Sequence, residues 1–340
     1  MRGLDVRVSM AMMWAGLLCG VINPAAAEDE DPATSSGGTV SITFENDIFG
    51  DEDRDYTNGI RLDYISERNE LPLIGRIARR NLDWLTDADD WYMTYAVGQN
   101  IFTPDDISLA VPPAGERPYA GFLYGGIGLA ADSGETLDVI ALELGVVGPA
   151  ALAEQTQRFV HRTINAQDPQ GWDTQLENEP AFRFVYERKY QFEQDLSLSF
   201  LDLAADIAPH VNVSLGTVDT SGGAGATMRL GQDLADDYGP PRIRPAVSAP
   251  GFFRDQDGFS WYIFAGIEGR VVGYNTFIQG NTFGGVDGVD PIRLVADFQA
   301  GAAVQINGVE LAYTHVIRTR EYEGQDGLSE FGSVNLRFKF

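Results

Sequence analysis

The chain has a single cysteine, three histidines and only 24 basic residues against 50 acidic ones. Each shortage removes a class of protein. One cysteine, Cys19, cannot form an intrachain disulfide or a thiolate metal cage. A net charge of −26 leaves no basic stripe that could offset phosphate repulsion, which excludes nucleic acid as a partner. No internal run approaches the ~18 apolar residues of a membrane-spanning helix. The Gly-x-Ser-x-Gly elbow of serine hydrolases is also missing.

What is present starts with the last strand. In Ser333-Val-Asn-Leu-Arg-Phe-Lys-Phe340, Val334, Leu336, Phe338 and Phe340 share one face, and Ser333, Asn335, Arg337 and Lys339 the other. An ordinary edge strand can alternate in this way. A strand of a transmembrane barrel must, because one face meets lipid and the other a wet lumen. At the other end, Arg2 and Arg7 precede an apolar run from Met10 to Ile22, then Ala25-Ala26-Ala27 and Glu28-Asp29-Glu30. That order predicts a signal peptide over 1–27, cleaved after Ala27. Cys19 follows Leu18, which is not the small residue a lipoprotein signal requires, so lipidation is not expected.

The mean hydropathy is only −0.15, as alternation produces in a barrel. About twelve segments read as strands, at 39–49, 55–66, 91–102, 119–131, 136–147, 181–191, 196–210, 221–233, 259–272, 291–305, 307–319 and 329–340. Turn signals such as Asp132-Ser-Gly-Glu135 and Asn307-Gly308 separate many of them. The expected fold is all-β: a transmembrane antiparallel β-barrel of even strand number, one domain over 28–340. Residues 67–90 predict a short amphipathic helix, with Leu73, Ile74, Ile77, Leu82 and Trp84 among Arg76, Arg79 and Arg80. Residues 234–257, with four prolines, predict an extended connector. Counted from a periplasmic amino-terminus, strand parity puts both insertions on the periplasmic side, where turns are usually short, so either the count is off by one or these are periplasmic decorations.

Two stretches carry chemistry. After the fifth strand, Gly148-Pro149 opens a helical segment whose apolar face is read as Leu152, Phe159 and Val160. This is the short helix expected in an extracellular loop. Its His161 lies on the polar side, where a histidine is solvated, satisfied or functional. The first hairpin gathers Asn46, Asp47, Asp51, Glu52, Asp53 and Asp55, oxygen donors that suit a hard cation such as calcium or a plain acidic loop. Val40, Ile42 and Phe44 face lipid, so strict alternation turns Asn46 outward and Asp47 inward. A site using both faces needs a bulge, a strand end, or a helix packed on the rim.

The motifs Phe44-Glu-Asn-Asp47, Tyr56-Thr-Asn-Gly59, Arg117-Pro-Tyr-Ala-Gly121, Val147-Gly-Pro149, Gln157-Arg-Phe-Val-His161 and Gly171-Trp-Asp-Thr-Gln175 occur in that order across the mature chain. As a set they resemble the lipid A 3′-O-deacylase (LpxR-like) outer-membrane family. The resemblance implies a twelve-stranded barrel in the outer membrane of a Gram-negative bacterium. It also implies a calcium-dependent removal of the 3′ acyloxyacyl group of lipid A. The family's catalytic pattern falls on Asn46, Asp47, Thr57 and His161, and calcium would be held near Asn46 and Asp47. Where that pattern has a glutamate, six residues after the histidine, this chain has Gln167. An amide can offer oxygen to a cation but cannot pair with an imidazolium as a carboxylate does. Gln167 and the adjacent Asp168 are therefore the expected further ligands, with Gln167 also counted in the catalytic set.

In that reading His161 is a general base and Thr57 positions water or completes the metal shell. The partners are lipid A or lipopolysaccharide and outer-membrane lipid, and the protein is a monomer. Two other readings stand beside it: a structural barrel or small pore of the same fold, with Gln167 marking lost activity, and a soluble periplasmic β-protein.

Overall fold

Period-two alternation builds the architecture. The computed structural model describes residues 37–50, 55–82, 84–198, 203–232, 234, 238 and 258–340. The expected signal peptide with Cys19, the acidic run Asp51–Asp53, and nearly all of the 234–257 connector lie outside the described residues.

The strands are β1 (Thr39–Asn46), β2 (Asp55–Ile65), β3 (Asp90–Thr103), β4 (Ala120–Asp132), β5 (Thr136–Val147) and β6 (Glu179–Tyr190, running on as Phe192–Leu198). They continue as β7 (Leu203–Gly216), β8 (Asp219–Gln232), β9 (Phe259–Asn275), β10 (Leu294–Ile306), β11 (Val309–Arg318) and β12 (Ser329–Lys339). Each pairs antiparallel with its sequence neighbours, β1 pairs β12, and the result is a closed twelve-stranded barrel. The two pieces of β6 share one register against β7, from Arg183↔Gly216 through Lys189↔His210 to Phe192↔Ile207.

The β1–β12 seam shows why the alternation matters. Val40, Ile42 and Phe44 stand opposite Phe338, Leu336 and Val334, so one apolar face crosses the seam. Ser41, Ser333, Asn335 and Arg337 are buried on the other, luminal face. Elsewhere Leu62, Val97 and Leu144 are half or more exposed on the outer wall, which is the lipid-facing band of a barrel. At Asn307-Gly308 both residues take positive φ, 46° and 77°, as a two-residue hairpin turn requires.

The lumen is filled. Arg61 of β2 pairs with Glu143 of β5 at 2.8 Å, and Glu143 also holds Arg183 of β6. His210 of β7 meets Glu268 of β9 at 3.0 Å, and Arg318 pairs with Asp297 at 2.7 Å. At the end away from the termini, Phe277 stacks on Phe102 at 4.0 Å, and Tyr56 meets Phe331 edge-on at 5.3 Å. Charges span the middle and aromatic rings close the mouth.

One strand assignment needs correction. The segment expected as 196–210 divides: β6 runs to Leu198 and β7 begins at Leu203. Within the strand expected at 181–191, Glu187 and Lys189 face the lumen as a buried pair 3.5 Å apart. The expected helix in 67–90 is α1 (Leu73–Leu82). It joins β2 to β3 at the end carrying the termini, and the β8–β9 connection starts and ends there too.

Candidate active site on the outer rim

Three local irregularities at the far end of β1, β2 and β3 bring the candidate residues together. First, β1 stops at Asn46. The Asn46 side chain closes the strand end: its Oδ1 accepts from the Ile48 N–H at 2.9 Å, and its Nδ2 donates to the Thr57 carbonyl at 2.8 Å. Asp47 then begins a 3₁₀ turn (Asp47–Gly50), so strand alternation no longer governs it, and it is buried.

Second, β2 carries a bulge at Thr57, because Tyr56 pairs with Phe102 while Asn58 pairs with Ile101. A bulge re-aims its side chains. Tyr56 turns into the lumen, where its hydroxyl donates to Glu45 and accepts from Asn100 Nδ2. The Thr57 hydroxyl instead lies 2.7 Å from that of Thr103. Thr103 shares the outward parity of Tyr95, Val97 and Ile101 on β3, so Thr57 is on the outside of the barrel.

Third, a helix covers this outer patch. The β5–β6 connection forms a 3₁₀ turn (Pro149–Ala151), a left-handed Leu152 at φ 59°, and α2 (Ala153–Ile164). The buried face of α2 is Ala153, Gln157 and His161. Ala153 packs with the outward Ile101 and with Tyr119 and Trp172. Gln99 Nε2 donates to the Ala151 carbonyl at 2.6 Å, and Trp172 Nε1 donates to Gln157 Oε1 at 2.8 Å. The expected apolar face is thus inverted, with Leu152 and Phe159 more than half exposed. Small and polar residues face the wall because the helix sits close. A Cβ on Gly121 would lie 2.4 Å from that of Ala153.

His161 is only 5% exposed. Its Nδ1 lies 2.5 Å from the main-chain carbonyl of Gln167, an acceptor that requires the proton on Nδ1. The Gln167 side chain is exposed, so this residue orients the imidazole through its backbone and not through its amide. Asp168 is exposed as well and sits 3.8 Å from Arg158, which Glu154 also holds at 2.9 Å. The contacts therefore fall into two groups, Asn46 with Thr57 and His161 with Gln167, and Asp168 turns to Arg158.

The rim oxygens suit a hard cation in type: the Asp47 carboxylate, the second lone pair of Asn46 Oδ1, and strand-end carbonyls. Among the described residues no three histidine, cysteine or carboxylate side chains gather into a metal-holding group, so amide and main-chain oxygens would have to complete the shell.

The sequence reading passed over Asn58, Thr103, Gln157 and Gly121. Asn58 Nδ2 and Gln157 Nε2 are buried donors with no partner among the described residues. Asn58, Gly121 and Gln157 lie within the family motifs, and the small pair Gly121 and Ala153 was the signal of a close helix. Arg117, from the same motif as Gly121, serves the inner side. It is buried 3.7 Å from both Asp55 and Glu321 and 4.9 Å from the Phe102 ring centre. Tyr322 donates there to Asp55 and Glu116 at 3.2 Å each. Burial first, then the Asp55 charge, hold its phenol well above the ordinary value.

A family model described as outer membrane protein LpxR matches residues 12–340. The solved structure of LpxR from Salmonella typhimurium is 22% identical, covers 89% of this chain and 100% of its own, and superposes with a TM-score of 0.72. The β domain of the Bordetella autotransporter BrkA covers 90% of this chain and 100% of its own at 10% identity, with a TM-score of 0.45. A comparison with curated protein sequences found no match.

Proposed function

The chain belongs to the LpxR family of outer-membrane proteins, and from that premise we propose that it is a calcium-dependent hydrolase removing the 3′-linked acyloxyacyl group of lipid A. The observation that carries this reading is the place of His161, buried between α2 and the outer wall with its Nδ1 held by the Gln167 carbonyl. A lipid substrate arrives from the bilayer, so a base on the outer wall can meet its ester without the substrate entering the lumen.

In this reading Nε2 takes a proton from water as the oxygen attacks the ester carbonyl carbon. The imidazolium then returns a proton to the departing sugar oxygen, giving a free acyloxyacyl acid and a 3′-hydroxyl. Thr57, fixed by Thr103, orients the water. Asn58 and Gln157 offer unused buried N–H groups to substrate oxygens. Asn46 and Asp47 would hold calcium, which supplies Lewis-acid polarisation of the ester carbonyl. Gln167 and Asp168 are not needed as ligands here, since both side chains are exposed.

Cells carrying the protein are expected to yield lipid A lighter by one acyloxyacyl group, read by mass spectrometry. The purified protein should lose that activity with a calcium chelator and regain it with added calcium. Unchanged lipid A across several acylation forms would leave a structural barrel. A pore is disfavoured by the ion pairs and stacked rings that fill the lumen.

Close packing of α2 adds a sharper test. Gly121→Val must push α2 outward, since even a Cβ would sit 2.4 Å from Ala153. A shift near 1 Å should lower the rate by about 10²-fold, with the barrel still folded by its heat-sensitive gel mobility. Full activity in this variant would place the reaction away from α2.

A further inference from the structure

At the opposite end of the same wall, α1 shows three faces. Gly75, Ala78 and Leu82 lie against the barrel, packed with Trp91 and Met93 of β3 and Leu129 and Ala131 of β4. At 100° per residue, Leu73, Ile74 and Ile77 form a second face, 66%, 61% and 52% exposed. Arg76, Arg79 and Arg80 form a third, and α1 contains no acidic residue in a chain of net charge −26. Trp84 just beyond the helix is 80% exposed.

The wall beneath α1 is the lipid-facing one, since Trp91 and Met93 share parity with the exposed Tyr95 and Val97. Its level is marked as well. Trp91 stands opposite Ala131, Ala131 opposite Asp138, and Asp138 opposite Arg188. Asp138 and Arg188 form an ion pair at 2.7 Å on the outer wall, in the same row of the sheet that α1 covers. A charged pair on the lipid side belongs where hydrocarbon gives way to headgroups. A helix fixed at that level, apolar on one exposed face and basic on the next, has the form of an interfacial anchor.

We propose that α1 is a phospholipid-binding anchor: Leu73, Ile74, Ile77 and Trp84 enter the acyl region of the leaflet at the termini end, and Arg76 and Arg80 bind anionic glycerophospholipid headgroups. The anchor holds the barrel's depth and binds lipid independently of the rim site.

The test uses the full chain folded into mixed phosphatidylcholine and phosphatidylglycerol bilayers. Spin-labelled phosphatidylglycerol should be preferred over phosphatidylcholine at the barrel surface by up to about fivefold per arginine at low salt. The preference should fall with added salt and largely disappear in Arg76→Gln/Arg80→Gln, two exposed positions. Brominated acyl chains should quench a tryptophan signal present in the parent chain and missing in Trp84→Phe. Equal association of the two lipids, a preference indifferent to salt, or one kept by the double variant would overturn the proposal. So would a Trp84 signal reached by aqueous iodide but not by brominated lipid. The salt series and quenching on the parent chain decide the matter even if a variant fails to assemble.

Discussion

His161→Ala should lower deacylation by about 10²- to 10⁴-fold, the span expected when a general base is removed, while the barrel folds as before. The side chain sits under α2, outside the ladder of strands, and its removal breaks no strand pairing or luminal ion pair. The measurement is kcat/KM on purified lipid A, with heat-sensitive gel mobility as the check on folding. Gln167→Glu belongs in the same assay and should change the rate by less than about threefold, as exposed substitutions do. The imidazole is held by the residue's main-chain carbonyl, which the substitution leaves in place. Asp168→Asn should be similarly mild, because its carboxylate answers Arg158 at the surface. A folded His161→Ala protein of full activity would remove the histidine from the mechanism. A large gain in Gln167→Glu would mean that this side chain, and not its carbonyl, reaches the site.

The site was legible in the sequence as residue types but not as geometry. Asn46, Asp47, Thr57 and His161 stood out through family motifs and donor chemistry. The bulge that turns Thr57 outward could not be read, because a bulge depends on how β2 registers against β3. The face of α2 was read inverted for a related reason. Apolar periodicity marks a buried face only when the surroundings are water, and α2 packs against a barrel wall beside lipid. There Phe159 can stay exposed while His161 is buried. The role of Gln167 was hidden because a main-chain carbonyl is the same whatever side chain it carries.

The fold was read more fully, since lipid on one side and a polar lumen on the other impose alternation on every strand. Strand closure and parity followed from it. At β6 alternation holds through the charged run, with Glu187 and Lys189 in the lumen and Arg188 on the outer wall. Charge marks a turn in a soluble sheet, but in this barrel it also marks the inside.

That inside supports the second large effect. Glu143→Ala should destabilise the folded barrel by about 3–5 kcal/mol, the cost of leaving buried charge unpaired. Glu143 accepts from Arg61 at 2.8 Å and from Arg183 Nε at 2.9 Å, and all three side chains are buried. Without the carboxylate two guanidinium groups remain in the lumen, and Asp63, 2.8 Å from Arg61, can answer only one of them. Adding Arg183→Met to Glu143→Ala should therefore recover much of the loss, because the second substitution removes the charge that the first stranded. Urea unfolding of the detergent-solubilised or bilayer-inserted barrel would read both changes. Deacylation at temperatures where the single variant is still folded should stay near that of the parent, since His161 and Thr57 lie across the wall from Glu143. Equal stability of parent and Glu143→Ala would show that water enters the lumen far enough to solvate both arginines. Failure of the double variant to recover would show that Glu143 acts through packing and not through charge.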